Sequence, residues 1–170
     1  MGIDPGMAIV GYCIVDVNKD NFTLVTSGSI QTNKQKTDGQ RLAEIRSDML
    51  FLLDKYSPDV ASVEQLFFFK NVKTIIPVAQ ARGVIVETLA VKSIPIYEYT
   101  PLVVKQTLTG YGRATKSQVA EMVRLSLCNQ AIPKLDDTVD SIAIAICHAR
   151  NFDNRTALQM EHKQTIKGGI

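Results

Sequence analysis

Four of the 17 acidic residues in this chain stand apart by the company they keep. Asp4 lies in "GIDPG", where a short apolar start meets Pro5 and Gly6. Glu64 closes the apolar run "DVASVEQL", just ahead of three phenylalanines. Asp137 and Asp140, in "DDTVDSIAIAIC", are three residues apart at the start of a helical pattern and so share one helix face, with Asp136 about a third of a turn away. Taken singly, each has an ordinary explanation. Asp-Pro-Gly is common turn chemistry, a strand-end glutamate can face water, and acids at a helix N-terminus suit its dipole. Taken together, two acids on strand ends and two on one helix face would repel one another and hold their protons to higher pH. Such a set of hard oxygen donors suits Mg2+ or Mn2+. Two such ions about 4 Å apart can activate a water and stabilise the leaving oxygen in phosphodiester hydrolysis. No histidine–cysteine zinc spacing competes, and no nucleophilic serine or cysteine motif occurs.

The surrounding elements must bring these acids together. After a very short start, "MAIVGYCIVDV" and "NFTLVTSGSIQT" are rich in β-branched and aromatic residues, and the polar "NKDN" between them predicts a hairpin. Leu42, Ile45, Met49, Leu52, Leu53 and Tyr56 recur at helical spacing up to Pro58. Residues 59–66 read as a short buried strand and 72–91 as a helix, in which Pro77 predicts a kink or a later start. A strand over 93–100 leads to Thr100 as N-cap with Pro101 at the first helical position. "GYGRAT" reads as a flexible loop, Thr115 or Ser117 as the cap of a helix over 116–129, and 136–152 as the last helix. Residues 154–170 are polar and are expected to form a loose tail. Three strands, helix, strand, helix, strand and three helices predict an α/β domain over residues 1–153, with a mixed sheet covered on both faces.

Composition limits the alternatives. A chain of 170 residues, 45% hydrophobic and 21% charged, fits one globular domain. Its apolar runs stop short of the roughly 18 residues of a membrane span, and no basic segment followed by an apolar stretch announces a secretory signal. Cys13, Cys128 and Cys147 sit in apolar stretches and are expected in the core of a protein from a reducing compartment. Net charge is only +2, but Lys70, Lys73, Arg82, Lys105, Arg113, Lys116 and Arg124 fall in the middle of the chain. Charge alone makes these solvated faces.

Five segments, "GIDPG…GYCIV", "VEQLFFFKN", "AQARGV", "YTPLVVKQTLTGYGRATKSQV" and "DDTVDSIAIAICHA", together resemble the RuvC-type Holliday junction resolvases, in order and from Gly2 to about Arg150. The resemblance implies a ribonuclease-H-like fold with a five-stranded sheet. It also implies a homodimer that resolves four-way DNA junctions by paired symmetric nicks during recombination and repair. Mg2+, for which Mn2+ can substitute, is the implied cofactor, at two ions per site. A branch-migration motor complex is an implied partner, and the cytoplasm the implied location, on a bacterial nucleoid or in a host cell if phage-encoded. Matched position by position, the family's catalytic acids fall on Asp4, Glu64, Asp137 and Asp140. Lys105 and Lys116 match its DNA-contacting basic residues, with Lys105 supporting the scissile phosphate, and Lys70 and Arg113 beside the motifs are counted with them. Phe67 matches the aromatic residue that stacks on bases at the crossover, which stabilises an unpaired base by roughly 1–3 kcal/mol. Phe68 is expected to assist. Adjacent strand residues face opposite ways, so Phe69 is assigned to packing. Rival readings are a same-fold nuclease for other branched DNA or RNA, a non-catalytic junction binder, and a sugar-kinase-like ATPase, which would need two such domains.

One departure from the resemblance carries a prediction. Relatives usually have several more apolar residues before GIDPG, whereas here Asp4 is the fourth residue, so that at about 3.3 Å per residue the amino group could lie within roughly 10 Å of the acids. Either the start is clipped or misassigned, or this is a family branch with a short first strand, and a strand so weakened is expected to lower stability or metal affinity. A version extended by a few apolar residues should melt higher, and equal melting would dismiss the effect.

Overall fold

Segments rich in β-branched and aromatic residues build β2 (Ile9–Asn18) and β3 (Asn21–Gln31), which pair antiparallel from Ile9↔Gln31 to Asn18↔Asn21 with an irregularity at Ile14/Val15. β1 (Gly2–Asp4) lies antiparallel to β2 and parallel to β4 (Ala61–Glu64), and β4 runs parallel to β5 (Ile96–Tyr99). The order across the sheet is β3-β2-β1-β4-β5. The computed structural model describes residues 1–19, 21–66, 72–128, 130–132 and 136–167, with 72–74 and 153–167 described as backbone alone. Met1 donates from its amino group to the Val60 carbonyl at 2.9 Å, at the end of β4 away from Glu64.

The sheet has two differently built faces. On one, Ile3, Val10, Ile14, Ile30, Ala61 and Val63 pack under α1 (Asp38–Tyr56) and α2 (Val72–Val91). α1 begins at the capping box of Thr37 and Gln40 and ends at Ser57 in the left-handed region, one residue before Pro58. α2 starts at Val72, ahead of Pro77 rather than at it. A proline so near the start removes only one hydrogen bond beyond the turn whose amides are free anyway.

On the other face, α3 (Pro101–Thr109), α4 (Lys116–Ser126) and α5 (Asp136–Lys167) enclose the second half of the core. Thr100 caps α3 with Pro101 at its first position, and Gly110 ends it at φ 76°, a conformation that favours glycine. Thr115 caps α4 through a capping box with Gln118. In α5 the run from Ile142 to Cys147 is buried throughout, because the helix is sandwiched between the sheet and α3/α4.

Two expectations need correction. α5 continues to Lys167, beyond the expected end at residue 152, and "TALQMEHKQTIK" consists largely of strong helix formers. Cys128 is exposed, unlike the buried Cys13 and Cys147. It stands just past the end of α4 at φ 51°, where the chain turns out of the helix and its side chain leaves the core. Among the described residues no helix is long and apolar enough to cross a membrane.

Candidate active site

Register decides which acids can meet. Gly2↔Ser62 and Ile3↔Val63 pair β1 with β4, so Asp4 and Glu64 follow in step at the same end of two adjacent parallel strands. Beyond Glu64 the Gln65 amide still donates to the Tyr99 carbonyl at 2.8 Å, which keeps the main chain fixed at that end. The Asp4 and Glu64 side chains share a hydrogen bond. Both face α5, since the residues in step with them on that face, Gly2 and Gly11, lie directly under it.

Small residues allow that close approach. A Cβ on Gly11, the partner of Asp4 across β1/β2, would fall within 3.0 Å of the Asp137 carbonyl. One on Gly2 would meet the Ser141 carbonyl. The Cys13 thiol donates to the same Ser141 carbonyl at 3.3 Å, and the Thr138 hydroxyl donates to the Gly28 carbonyl at 3.2 Å. The first turn of α5 thereby lies on the strand ends, and Asp137 and Asp140 are delivered to the field of Asp4.

Burial first, and the neighbouring charges after it, hold the Asp4, Glu64 and Asp140 carboxyls above their ordinary range. Burial raises the Asp4 carboxyl from 3.8 to about 8, helped by the charges of Glu64, Asp140 and Asp137. Burial also raises Glu64 to about 6, reinforced by Asp140 and opposed by its hydrogen bond to Asp4 and by Lys116 and Lys105. Asp140 is raised by burial despite the ammonium of Lys116 beside it. Burial pulls the Lys116 ammonium down, but Asp140 and Asp136 outweigh it and hold it above its usual value.

A cleft of about 310 Å3 lies beside these groups, lined by Glu64, Lys105, Lys116 and Asp140 with Val104, Val119 and Ile144; Asp4 and Asp137 are not among its lining residues. Lys105 reaches it because α3 leaves β5 directly beside Glu64. Arg113 is exposed on the α3–α4 loop and is not among the lining residues. Phe67, Phe68, Phe69 and Lys70 lie outside the described residues. Arg82 and Arg124, two of the basic residues in the middle of the chain, are tied in ion pairs to Glu98 and Glu121.

This donor set fits a hard divalent cation: all oxygen, partly buried, and carrying more negative charge than its lysines offset. Among the described residues no group of three or more His, Cys, Asp or Glu side chains stands ready to hold a metal ion as they lie. Sequence reasoning singles out the four acids and both lysines, of which Glu64, Asp140, Lys105 and Lys116 line the cleft. It passed over Gly11 and Gly2, whose only signal is a glycine within each of two apolar strands, and it gave no role to Asp136.

A mixed five-stranded sheet in this order, with helices on both faces, is a ribonuclease-H-like fold, here carrying an acid cluster at its central strand ends. The family of crossover junction endodeoxyribonuclease RuvC matches residues 1–148. RuvC of Halothermothrix orenii is 48% identical over 152 residues, spanning 89% of this chain and 92% of that one. The structure of Thermus thermophilus RuvC is 31% identical with a TM-score of 0.84, covering 91% of this chain and 95% of that one. T. thermophilus RuvC in complex with a Holliday junction substrate gives 32%, 0.83, 88% and 92%. The chain belongs to the RuvC family.

Proposed function

We propose that this chain is a divalent-metal-dependent endonuclease that resolves four-way DNA junctions by nicking two strands symmetrically. The observation that carries this reading is the pairing of Asp4 and Glu64 at adjacent strand ends, within the charge field of Asp137 and Asp140 and beside a cleft that Glu64 and Asp140 line, in a RuvC-family chain. Asp4, Glu64, Asp137 and Asp140 would hold Mg2+ or Mn2+, at two ions per site. When bound, the ions supply activation of the attacking water and stabilisation of the leaving oxygen.

The protein's own residues do the rest. Asp4 and Glu64 would have to be ionised to hold the cations. Lys105 and Lys116 neutralise phosphates at the mouth of the cleft, with Lys105 beside the scissile one, and Arg113 and Lys70 extend that contact along the strand. Phe67, with Phe68, stacks on bases at the crossover. Two copies related by a twofold axis present two identical sites to opposing strands, so the product is a pair of nicks that ligation can seal. The setting is the cytoplasm, with a branch-migration motor as a partner that moves the junction.

A labelled synthetic four-way junction, incubated with and without Mg2+, tests the proposal alongside flaps and plain duplex. Paired symmetric nicks on the junction, only with the metal, are expected. Preferential cutting of flaps or duplex, or no metal dependence, would refute it. Lys105→Ala is further expected to lower the slope of log affinity against log salt by about 1, with similar loss for every junction sequence. An unchanged slope would take Lys105 off the phosphates.

A further inference from the structure

Lys116 stands where two hollows meet. The cleft already described lies on one side of it. On the other is a hollow of about 400 Å3 bounded by Ser117, Ala120, Ile132, Asp136 and Val139. Lys116 and Asp140 border both, whereas Asp136 borders only the second.

The Lys116 ammonium is shared between two carboxylates. Its Nζ lies 3.3 Å from Asp140 Oδ2 and 3.4 Å from Asp136 Oδ2. Those aspartates are four residues apart on α5, so they line one side of the helix a single turn apart. Asp140 is the inner one, with 33% of its side chain exposed, and Asp136 the outer, with 73%. Lys116 is anchored by its backbone at the first position of α4, behind the Thr115–Gln118 capping box, so only its flexible stem can move.

Any cation that takes Asp140 must contend with this ammonium, because two positive charges cannot share one carboxylate oxygen without repulsion. Asp136 offers the ammonium a second partner on the same helix face, already within 3.4 Å of it. It is not one of the four acids matched to the family's motifs, and it is too exposed to add much to ion binding by itself.

We propose that Asp136 is a positioning residue for Lys116: it draws the ammonium away from Asp140 when a divalent cation binds there and holds it at the rim of the cleft, where a phosphate arrives. The inference rests on the reading of Asp140 as a metal ligand. It assigns Asp136 a role exerted entirely through Lys116, and this is what separates it from an exposed acid that merely makes the region more negative.

Mn2+ binding to the full chain without DNA, followed by electron paramagnetic resonance, tests this in wild type, Asp136→Asn, Lys116→Met and the double variant. Asp136→Asn is expected to weaken Mn2+ binding about two- to fivefold in wild type, the scale of an exposed ion pair. In the Lys116→Met background the same change should have no effect, because the competing ammonium is gone. Asp136→Glu should restore wild-type affinity. Equal weakening in both backgrounds would mean a general field effect, and no weakening in either would mean an idle surface pair. Either result overturns the proposal. Asp4→Asn in the same assay keeps two failures apart. If it retains wild-type Mn2+ affinity, the carboxylate site itself is wrong. If it loses Mn2+ while the Asp136/Lys116 cycle shows no coupling, only the positioning role is lost.

Discussion

Asp4→Asn is expected to abolish junction cleavage, by about 10³-fold or more given the several kcal/mol that metal ions contribute to such reactions, while the metal-free protein becomes more stable. The two effects share one cause. Asp4 is a carboxylate held at a partly buried strand end beside Glu64, Asp140 and Asp137, which raises it from 3.8 to about 8. Between about pH 4 and pH 8 the native protein keeps a proton that the unfolded chain has released. The unfolded state therefore binds fewer protons, and stability falls as pH rises through that window. Asparagine carries no such penalty. In EDTA at pH 8 the variant should melt about 3–8 °C above wild type, and the gap should close as pH falls towards 4. Mn2+ should raise the wild-type melting temperature more at pH 8 than at pH 6 and leave the variant unmoved. Junction binding should persist or tighten, since the change removes a negative charge that faces DNA. Glu64→Gln should likewise stop cutting. Magnesium-dependent nicking retained by either variant would remove these acids from the active site.

Much of this site is legible in the sequence because each of its parts has a local signature. Asp4 ends an apolar triplet at Pro-Gly, Glu64 ends a buried strand, and Asp137 and Asp140 open a helix at a spacing that fixes their shared face. The caps Thr100 and Thr115 set the starts of α3 and α4, and thereby where Lys105 and Lys116 project. What the sequence hides is relational. Asp136 lies off the face of Asp137, and only the fold brings Lys116, 20 residues away, to within 3.4 Å of it. Cys128 looks like a core thiol among its neighbours until the left-handed turn after α4 carries it outside. The length of α5 beyond residue 152 rests on propensity without an apolar stripe, and a search for periodicity passes over that signal. The glycines of β1 and β2 are the most consequential omission, because a missing side chain advertises nothing.

Gly11→Ala follows from that omission and is expected to cut junction cleavage by about 100-fold, the scale associated with roughly 1 Å of misplacement at a reacting centre. The added methyl group would sit within 3.0 Å of the Asp137 carbonyl oxygen, and its obstacle is helix backbone that no rotamer change can move aside. Either β2 recedes or the first turn of α5 lifts from the sheet. In both cases Asp137 and Asp140 separate from Asp4 and Glu64, because Gly11 is the register partner of Asp4. Overpacking of this kind costs about 1–3 kcal/mol, so some loss of melting temperature is expected and must be separated from the loss of activity. Leu53→Ala supplies the comparison. Leu53 belongs to the buried side of α1 on the opposite face of the sheet, and its truncation costs about 2–5 kcal/mol without touching α5. Assayed well below both melting points, the Leu53 variant should cleave at the wild-type rate, while Gly11→Ala stays slow even at saturating Mg2+ and binds Mn2+ more weakly. Equal activity in the two variants would show that the close contact between β2 and α5 serves stability alone and that the acids find their distances by other means.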